Sequence, residues 1–355
     1  MTKATQYFLA TNSANGFYSV YEDLIESPDE KIYIIKSGPG SGKSTLMKTA
    51  AENIAKRGAE VQYVYCSGDP DSLDAVRFPS LGAVIVDGTP PHVIEPRHIH
   101  MDDRYVDFTD VYKGKISKTA AENIAKYTAS YKDAYKRAYL YLEKYGIVHG
   151  ASDIGADFAD GALRKKVLSV MHKYKIKGGE GGGRTLRRFA CAFTNSGVIE
   201  KQSELKKYKT AVILDSKCGL DSRALKILAE EVKNEGFDAV LYLDPLFPEK
   251  LSHVAVPEKE IIFLGGGTLV SRDINTEKTV RLDRVLPKEY VSFYKKLRKM
   301  TSSAENKLLA AAQAELKCAK RFHDLLESEY NPYIDFDTVG KKALFVTDLI
   351  LSSGK

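Results

Sequence analysis

The chain of 355 residues is most informative first for what it has little of. No stretch approaches the ~18 consecutive apolar residues that a membrane span needs, so an integral membrane protein is excluded. Met1 to Gly16 lacks a basic stretch followed by an apolar one, so no secretory signal is expected and the cytoplasm is the expected location. Cysteine is scarce: Cys66, Cys191, Cys218 and Cys318 lie far apart and form no CxxC or Cys/His cluster. Reduced thiols are expected, rather than a zinc site or a disulfide framework. His98 and His100 form an HxH pair, but alternation alone does not make a metal site. A charge excess is also missing. The 53 Lys and Arg residues against 47 Asp and Glu leave a net charge of +6, which permits phosphate-bearing ligands without demanding nucleic acid.

What is present is a soluble composition, 43% hydrophobic and 28% charged, on a chain too long for one ordinary domain. Its strongest signal runs from residue 31 to 58. Ile32, Tyr33, Ile34 and Ile35 read as a buried strand, SGPGSGKST follows, and Leu46 to Lys56 reads as a helix closed by Gly58. Strand, glycine loop and helix form the context of a Walker A motif. Gly38, Gly40 and Gly42 lack Cβ atoms, so their backbone N–H groups can turn inward around a phosphate, helped by the positive end of the helix dipole. The nucleotide cradle is expected to be Gly38, Pro39, Gly40, Ser41, Gly42, Lys43, Ser44 and Thr45. Lys43 would reach the β- and γ-phosphates of ATP, and Ser44 would place its hydroxyl on Mg²⁺. Ser37 stands where the motif usually begins with glycine, and Gly38 follows at once.

A second apolar strand, AVIVD over 83–87, ends in Asp87, a Walker B candidate that would orient Mg²⁺. Gly88 follows it, where many ATPases carry a glutamate that activates water. Candidates for that task are Asp69, Asp71, Glu95 and His92. Asp69 follows the strand VQYVYC at the carboxyl edge, where open α/β sheets bind ligands, although Asp69 and Asp71 also suit a turn and helix cap.

The chain repeats itself. ATNSANGFYSVYEDL over 10–24 answers AFTNSGVIEKQSEL over 192–205, and YIIKSGPGSGKSTL answers VILDSKCGLDSRAL. In this register Gly42 is answered by Asp221, Lys43 by Ser222, Ser44 by Arg223 and Asp87 by Gly265. The second copy is therefore expected to be a nucleotide-free pseudo-domain, with binding of something else at the same edge as the alternative. The fold class expected is α/β: a three-layer P-loop NTPase fold, mainly parallel and duplicated, each half carrying a helical hairpin. The expected halves are 1–176, with core 1–114 and hairpin 115–176, and 187–355, with core 187–287 and hairpin 288–355; a glycine-rich linker, 177–186, joins them. Tyr127, Tyr131, Tyr135 and Tyr139 lie at i, i+4 spacing and are expected to pack against a partner helix, with nucleobase stacking as the alternative. The segment KGGEGGGRTLRR reads as flexible, and its Arg184, Arg187 and Arg188 as a solvated run, or as cations for nucleic-acid phosphates or the nucleotide.

These motifs resemble a group of bacterial tandem P-loop ATPases known simply as ATP-binding proteins. The resemblance rests on NSANGFYS (12–19), SGPGSGKST (37–45), CSGDPDSLDAV (66–76), VDGTPPHVIEPR (86–97), RRFACAFTNSGVI (187–199) and the stretch from Pro248 to Pro257. It spans nearly the whole chain. The resemblance implies a second Walker A of the RPGTGKST type, and SKCGLDSRA stands in its place here. The function expected is Mg²⁺-dependent ATP hydrolysis at one site, with Lys43, Asp87 and Asp69 as catalytic residues and Ser44 and Asp87 on the metal side. A small-molecule or nucleotide kinase is the first alternative, because DGTP resembles the DGxP of nucleotide kinases; His92 stands where those kinases carry arginine. A non-catalytic ATP-dependent switch is the second. A nucleoside triphosphate is the expected partner, no membrane is expected, and nucleic acid is weakly supported.

Overall fold

A computed structural model describes residues 4–91, 93–97, 103–151, 155–266 and 274–353. In the first half the elements are β1 (Thr5–Phe8), β2 (Ala10–Ser13), β3 (Gly16–Ser19), β4 (Lys31–Ile35), α1 (Lys43–Ala55), β5 (Gln62–Tyr65), β6 (Leu73–Phe78), β7 (Ala83–Asp87), β8 (Arg104–Val106), α2 (Lys118–Gly150) and α3 (Asp160–Lys173). In the second they are β9 (Thr185–Arg188), β10 (Cys191–Thr194), β11 (Gly197–Glu200), α4 (Gln202–Leu205), β12 (Thr210–Asp215), α5 (Leu220–Asn234), β13 (Ala239–Leu243), β14 (Leu251–Val256), β15 (Ile261–Gly265), β16 (Lys278–Arg281), α6 (Lys288–Tyr330) and α7 (Phe336–Ser353). The helix after the glycine loop begins at Lys43 rather than Leu46.

The two halves are built on one plan. The first sheet has the order β1-β5-β6-β7-β4-β8 and the second β9-β13-β14-β15-β12-β16. Each is a mixed sheet of six strands, in which β6 or β14 alone runs antiparallel to its neighbours. The central strands are apolar on both faces, as strands covered by helices on both sides must be. A duplicated α/β fold is therefore observed.

Local detail repeats as well. Ser13 Oγ donates to the Gly16 carbonyl at 2.9 Å in the β2–β3 turn, and Thr194 Oγ1 donates to the Gly197 carbonyl at 2.8 Å in the β10–β11 turn. Gly16 and Gly197 have φ of +86° and +88°, the left-handed region that favours glycine. The halves meet where these copies touch: the N–H of Phe8 donates to Phe189 O and the N–H of Phe189 to Phe8 O, both at 2.9 Å. Residues in equivalent places bond each other, as they would across a two-fold axis.

The long helices of the two halves pair, and the shorter helices that follow them cross over. α2 and α6 lie antiparallel, with Ala138 and Leu142 packed on Ala312 and Leu316, Arg137 paired with Glu315 at 2.8 Å and Asn123 bonded to Glu329 at 2.9 Å. Small alanines at the seam let the backbones approach closely. Beyond this seam, α7 returns to the first half, where Val339, Ala343, Val346 and Ile350 are buried in one cluster with Leu46, Met47, Ala50 and Ile54 of α1. α3 crosses the other way: Leu163, Val167 and Val170 are buried with Leu220, Ala224 and Leu228 of α5. Each core is thus closed by a helix from the opposite half.

The segment after α3 is packed, not free. Gly179 N–H donates to Glu235 O at 2.7 Å, and a Cβ on Gly179 or Gly181 would fall 2.8 or 2.9 Å from Gly236 backbone atoms. Glycine is needed there because two backbones touch. The arginines beyond are held in ion pairs. Arg184 pairs with Asp238 at 3.0 Å, and Arg187 pairs with Asp23 at 2.8 Å and Glu22 at 2.7 Å. Arg188 is buried over the Tyr7 ring, 4.2 Å from its centroid, between Glu26 and Glu204. The four cysteine thiols are unbonded to one another, and among the described residues no helix is long and apolar enough to cross a membrane.

Candidate functional site

The site forms at the carboxyl edge of the first sheet, where β4 turns into α1 and β7 ends beside it. Ile35 is paired with Asp87 across these parallel strands, which places the start of the glycine loop next to the carboxylate. Gly40 and Gly42 have φ of +67° and +89°, which β-carbons resist, and Gly42 is the residue that starts the helix. Lys43 Nζ donates to Ser37 O at 3.0 Å and Gly38 O at 2.9 Å and lies 3.5 Å from Asp87 Oδ2. Ser44 Oγ accepts the Leu73 N–H at 3.0 Å, which ties the helix start to β6. Asp87 Oδ1 is held by the N–H of Thr89 at 2.9 Å and its hydroxyl at 2.5 Å. Ser41 is buried, its hydroxyl donating to Gly38 O at 2.8 Å. A cavity of about 360 Å³ opens over this arrangement, and Pro39 to Thr45, Asp69 and Asp87 all line it; Gly38 lies just behind, its N–H donating to Tyr112 Oη at 3.2 Å.

The other acidic candidates separate. Asp69 borders the cavity, but as the cap of a turn: it accepts Ser72 Oγ at 2.9 Å and faces Lys320 Nζ at 3.6 Å. Asp71 gives only its carbonyl, to Lys48 Nζ at 2.7 Å, and its exposed side chain does not line the cavity. Glu95 is held away by Lys36 and Tyr105, and the Lys36 ammonium draws its carboxyl below the usual range. His92, His98 and His100 lie outside the described residues.

Several cavity residues are not signalled by any motif. Lys320, His323 and Glu327 come from the end of α6 and Asn331 from the residue just past it, nearly three hundred residues from the loop in sequence. Glu327 Oε1 accepts the Gly40 N–H at 3.1 Å. A Cβ on Gly42 would stand 3.1 Å from Val339 of α7, so the elbow between α6 and α7 lies directly on the loop. His323, Asp324 and Glu327 bring ligand atoms within 4.8 Å of one another. Asp74, buried on β6 beside the loop, accepts Tyr21 Oη at 2.7 Å. Its strand, LDAVRF, also carries the buried Arg77, so a charge in the strand does not by itself single Asp74 out. Tyr131 and Tyr135 do more than pack on α6: they also form a wall of the cavity.

The second half carries the same edge with different chemistry, and its register differs by one from the sequence expectation. Ser222 Oγ accepts the Leu251 N–H at 3.0 Å, as Ser44 accepts Leu73. Ser222 therefore answers Ser44, Asp221 answers Lys43 and Arg223 answers Thr45. Leu214 pairs with Gly265 as Ile35 pairs with Asp87, so the second loop is one residue shorter and that missing residue shifted the comparison. Asp221 Oδ2 lies 3.1 Å from where a Cβ on Gly265 would stand. The lysine–aspartate pair of the first half has become aspartate and glycine. Arg223 turns outward to Asp157 and, at 2.5 Å, Asp160. The counterpart cavity, about 420 Å³, is lined by Asp215, Asp221 and Asp244 together with Lys250 and Arg298. Carboxylates border both cavities, but at the place of Lys43 the second presents Asp221.

A family model described as the N-terminal region of nephrocystin 3 matches residues 18–78, which run from β3 through β6 and include the glycine loop. No curated protein and no solved structure matches the chain.

Proposed function

We propose that the chain is a P-loop NTPase that binds ATP with Mg²⁺ in its first half and hydrolyses it there, the second half serving as a nucleotide-free pseudo-domain. The observation that carries this reading is Lys43, at the first position of α1, held between two loop carbonyls and Asp87. A half-buried ammonium at a helix N-terminus, beside a glycine loop whose positive φ angles resist β-carbons, suits a polyphosphate. The nephrocystin 3 match, a hint of an NTPase-like family, covers this loop.

Lys43 would exchange its carbonyl partners for phosphate oxygens and neutralise charge that builds on them. The Ser44 hydroxyl and the Asp87 carboxylate are a hard-oxygen donor set that suits Mg²⁺, whose charge would further neutralise the phosphates when bound. Asp87 is oriented for this by Thr89. Asp69 is the carboxylate that faces the loop across the cavity and would orient water, and Lys320 from the second half adds a cation beside it. Turnover would be slow, because Gly88 supplies no water-activating carboxylate after Asp87.

The test is calorimetric titration of ATP and Mg²⁺ into the protein and into Lys43→Ala, with phosphate release measured in parallel. Loss of binding in the variant is expected. Unchanged affinity would overturn the assignment.

A further inference from the structure

Beside the loop cavity lies a second chamber of about 490 Å³ that the nucleotide reading does not use. The two share one wall, made by Cys66, Gly68, Tyr131 and Tyr135. The glycine loop lies on one side of that wall, and Pro90 and Pro91, just past Asp87, lie on the other. The chamber therefore adjoins the loop cavity across that wall.

Its walls are aromatic and fixed. Tyr131 and Tyr135 have ring centroids 5.0 Å apart, and Tyr135 and Tyr139 5.6 Å, so one stripe of α2 presents three consecutive rings. Phe17 faces them from β3. Tyr139 Oη donates to Asn12 Oδ1 at 3.0 Å, and Asn12 Nδ2 donates to Phe193 O at 2.8 Å, which pins the stripe to both hairpins. Burial raises the Tyr135 and Tyr139 phenols, so they stay neutral. Tyr135 and Tyr139 pack beside Ala138 and Leu142 on Ala312 and Leu316 of α6, and Tyr131 meets His323 of α6 with ring centroids 5.7 Å apart; the same three tyrosines also line the chamber. The rim is basic: Lys132 and Lys136 stand one turn apart at the mouth, with Asp133 3.6 Å from Lys136.

We propose that this chamber binds an aromatic anion, a planar ring system carrying a carboxylate, sulfonate or phosphate, with the rings of Tyr131, Tyr135 and Phe17 stacking its body and Lys132 and Lys136 receiving its charge. Such a ligand would lie across the Cys66–Gly68–Tyr131–Tyr135 wall from the loop cavity, placed to act on that site as an effector. The chamber's chemistry stands apart from the nucleotide reading, and the experiment keeps them apart.

The probe is 8-anilinonaphthalene-1-sulfonate, followed by its fluorescence with the intact protein. One saturable site is expected. Lys132→Glu with Lys136→Glu, both on the exposed face of α2, should weaken it about tenfold, while the neutral N-phenyl-1-naphthylamine keeps its affinity. Equal sulfonate affinity in the double variant, equal loss of both probes, or binding that never saturates would each overturn the proposal. Lys43→Ala should retain the probe whether or not it loses ATP, so failure of one reading is distinguishable from failure of the other.

Discussion

Glu327 Oε1 accepts a hydrogen bond from the Gly40 N–H at 3.1 Å, joining the last turns of α6 to the glycine loop. A carboxylate oxygen thus stands on one of the backbone donors that a phosphate would use. A bound phosphate would compete with this carboxylate, both for the donor and through like charge.

Glu327→Ala frees that donor and removes the charge. Nucleotide affinity is expected to tighten by about tenfold, worth ~1.4 kcal/mol, in the range of one charge-assisted hydrogen bond. Titration of ATP into the variant at fixed ionic strength checks this, and weaker binding would show that Glu327 supports the loop rather than competing for it.

The exchanged helices predict where local stability resides. Ile350 and Leu163 are both fully buried, the first in the core of the opposite, first half and the second in that of the second. Either change to Ala should cost ~2–5 kcal/mol. Amide exchange should accelerate in α1 and β4 for Ile350→Ala, and in α5 and β12 for Leu163→Ala. The reverse pattern would contradict the exchange.

Arg188 predicts a structural rather than a ligand-binding arginine. It is 4% exposed, and Glu204 at 2.9 Å is fully buried and also held by Lys207 and Tyr242, each at 2.8 Å. Arg188→Met strips the carboxylate of its main counter-charge and should cost ~3–5 kcal/mol in urea unfolding. Adding Glu204→Gln should restore part of that loss, while ATP affinity stays unchanged in the folded protein.

Asp244 predicts a pH dependence. Burial lifts its carboxyl to about 6, above the unfolded value of about 3.9. A raised carboxyl pKa means that the folded state holds the proton more tightly than the unfolded chain. Its contribution is therefore favourable below about pH 4 and is lost as the pH rises through about 6, a loss of ~3 kcal/mol at pH 8. Asp244 Oδ1 accepts both the Leu246 and the Phe247 N–H, at 2.8 and 2.9 Å, and an asparagine oxygen can do the same. Asp244→Asn should raise the melting temperature at pH 8 and leave it unchanged at pH 4.

The amino-acid order alone determined what depends on near neighbours. Ile32 to Ile35 and Ala83 to Val86 are apolar strands wherever they pack, Gly42 permits a left-handed turn wherever it sits, and two copies of one pattern make two copies of one sheet. The segments that carry Lys43, Ser44 and Asp87 were legible for the same reason, but that β4 and β7 are neighbours, with Lys43 3.5 Å from Asp87, only the sheet decided. Tertiary structure alone decided the rest. An apolar stripe on α7 requires burial but does not name the half that provides it. The one-residue shortening between Leu214 and Ser222 shows only once both strands and helix are in place. Arg184, Arg187 and Arg188 read as free cations until Asp238, Asp23 and Glu204 come beside them. Glu327 reaches Gly40 because a long helix carries it there, and linear order holds no trace of a contact made across a rigid rod.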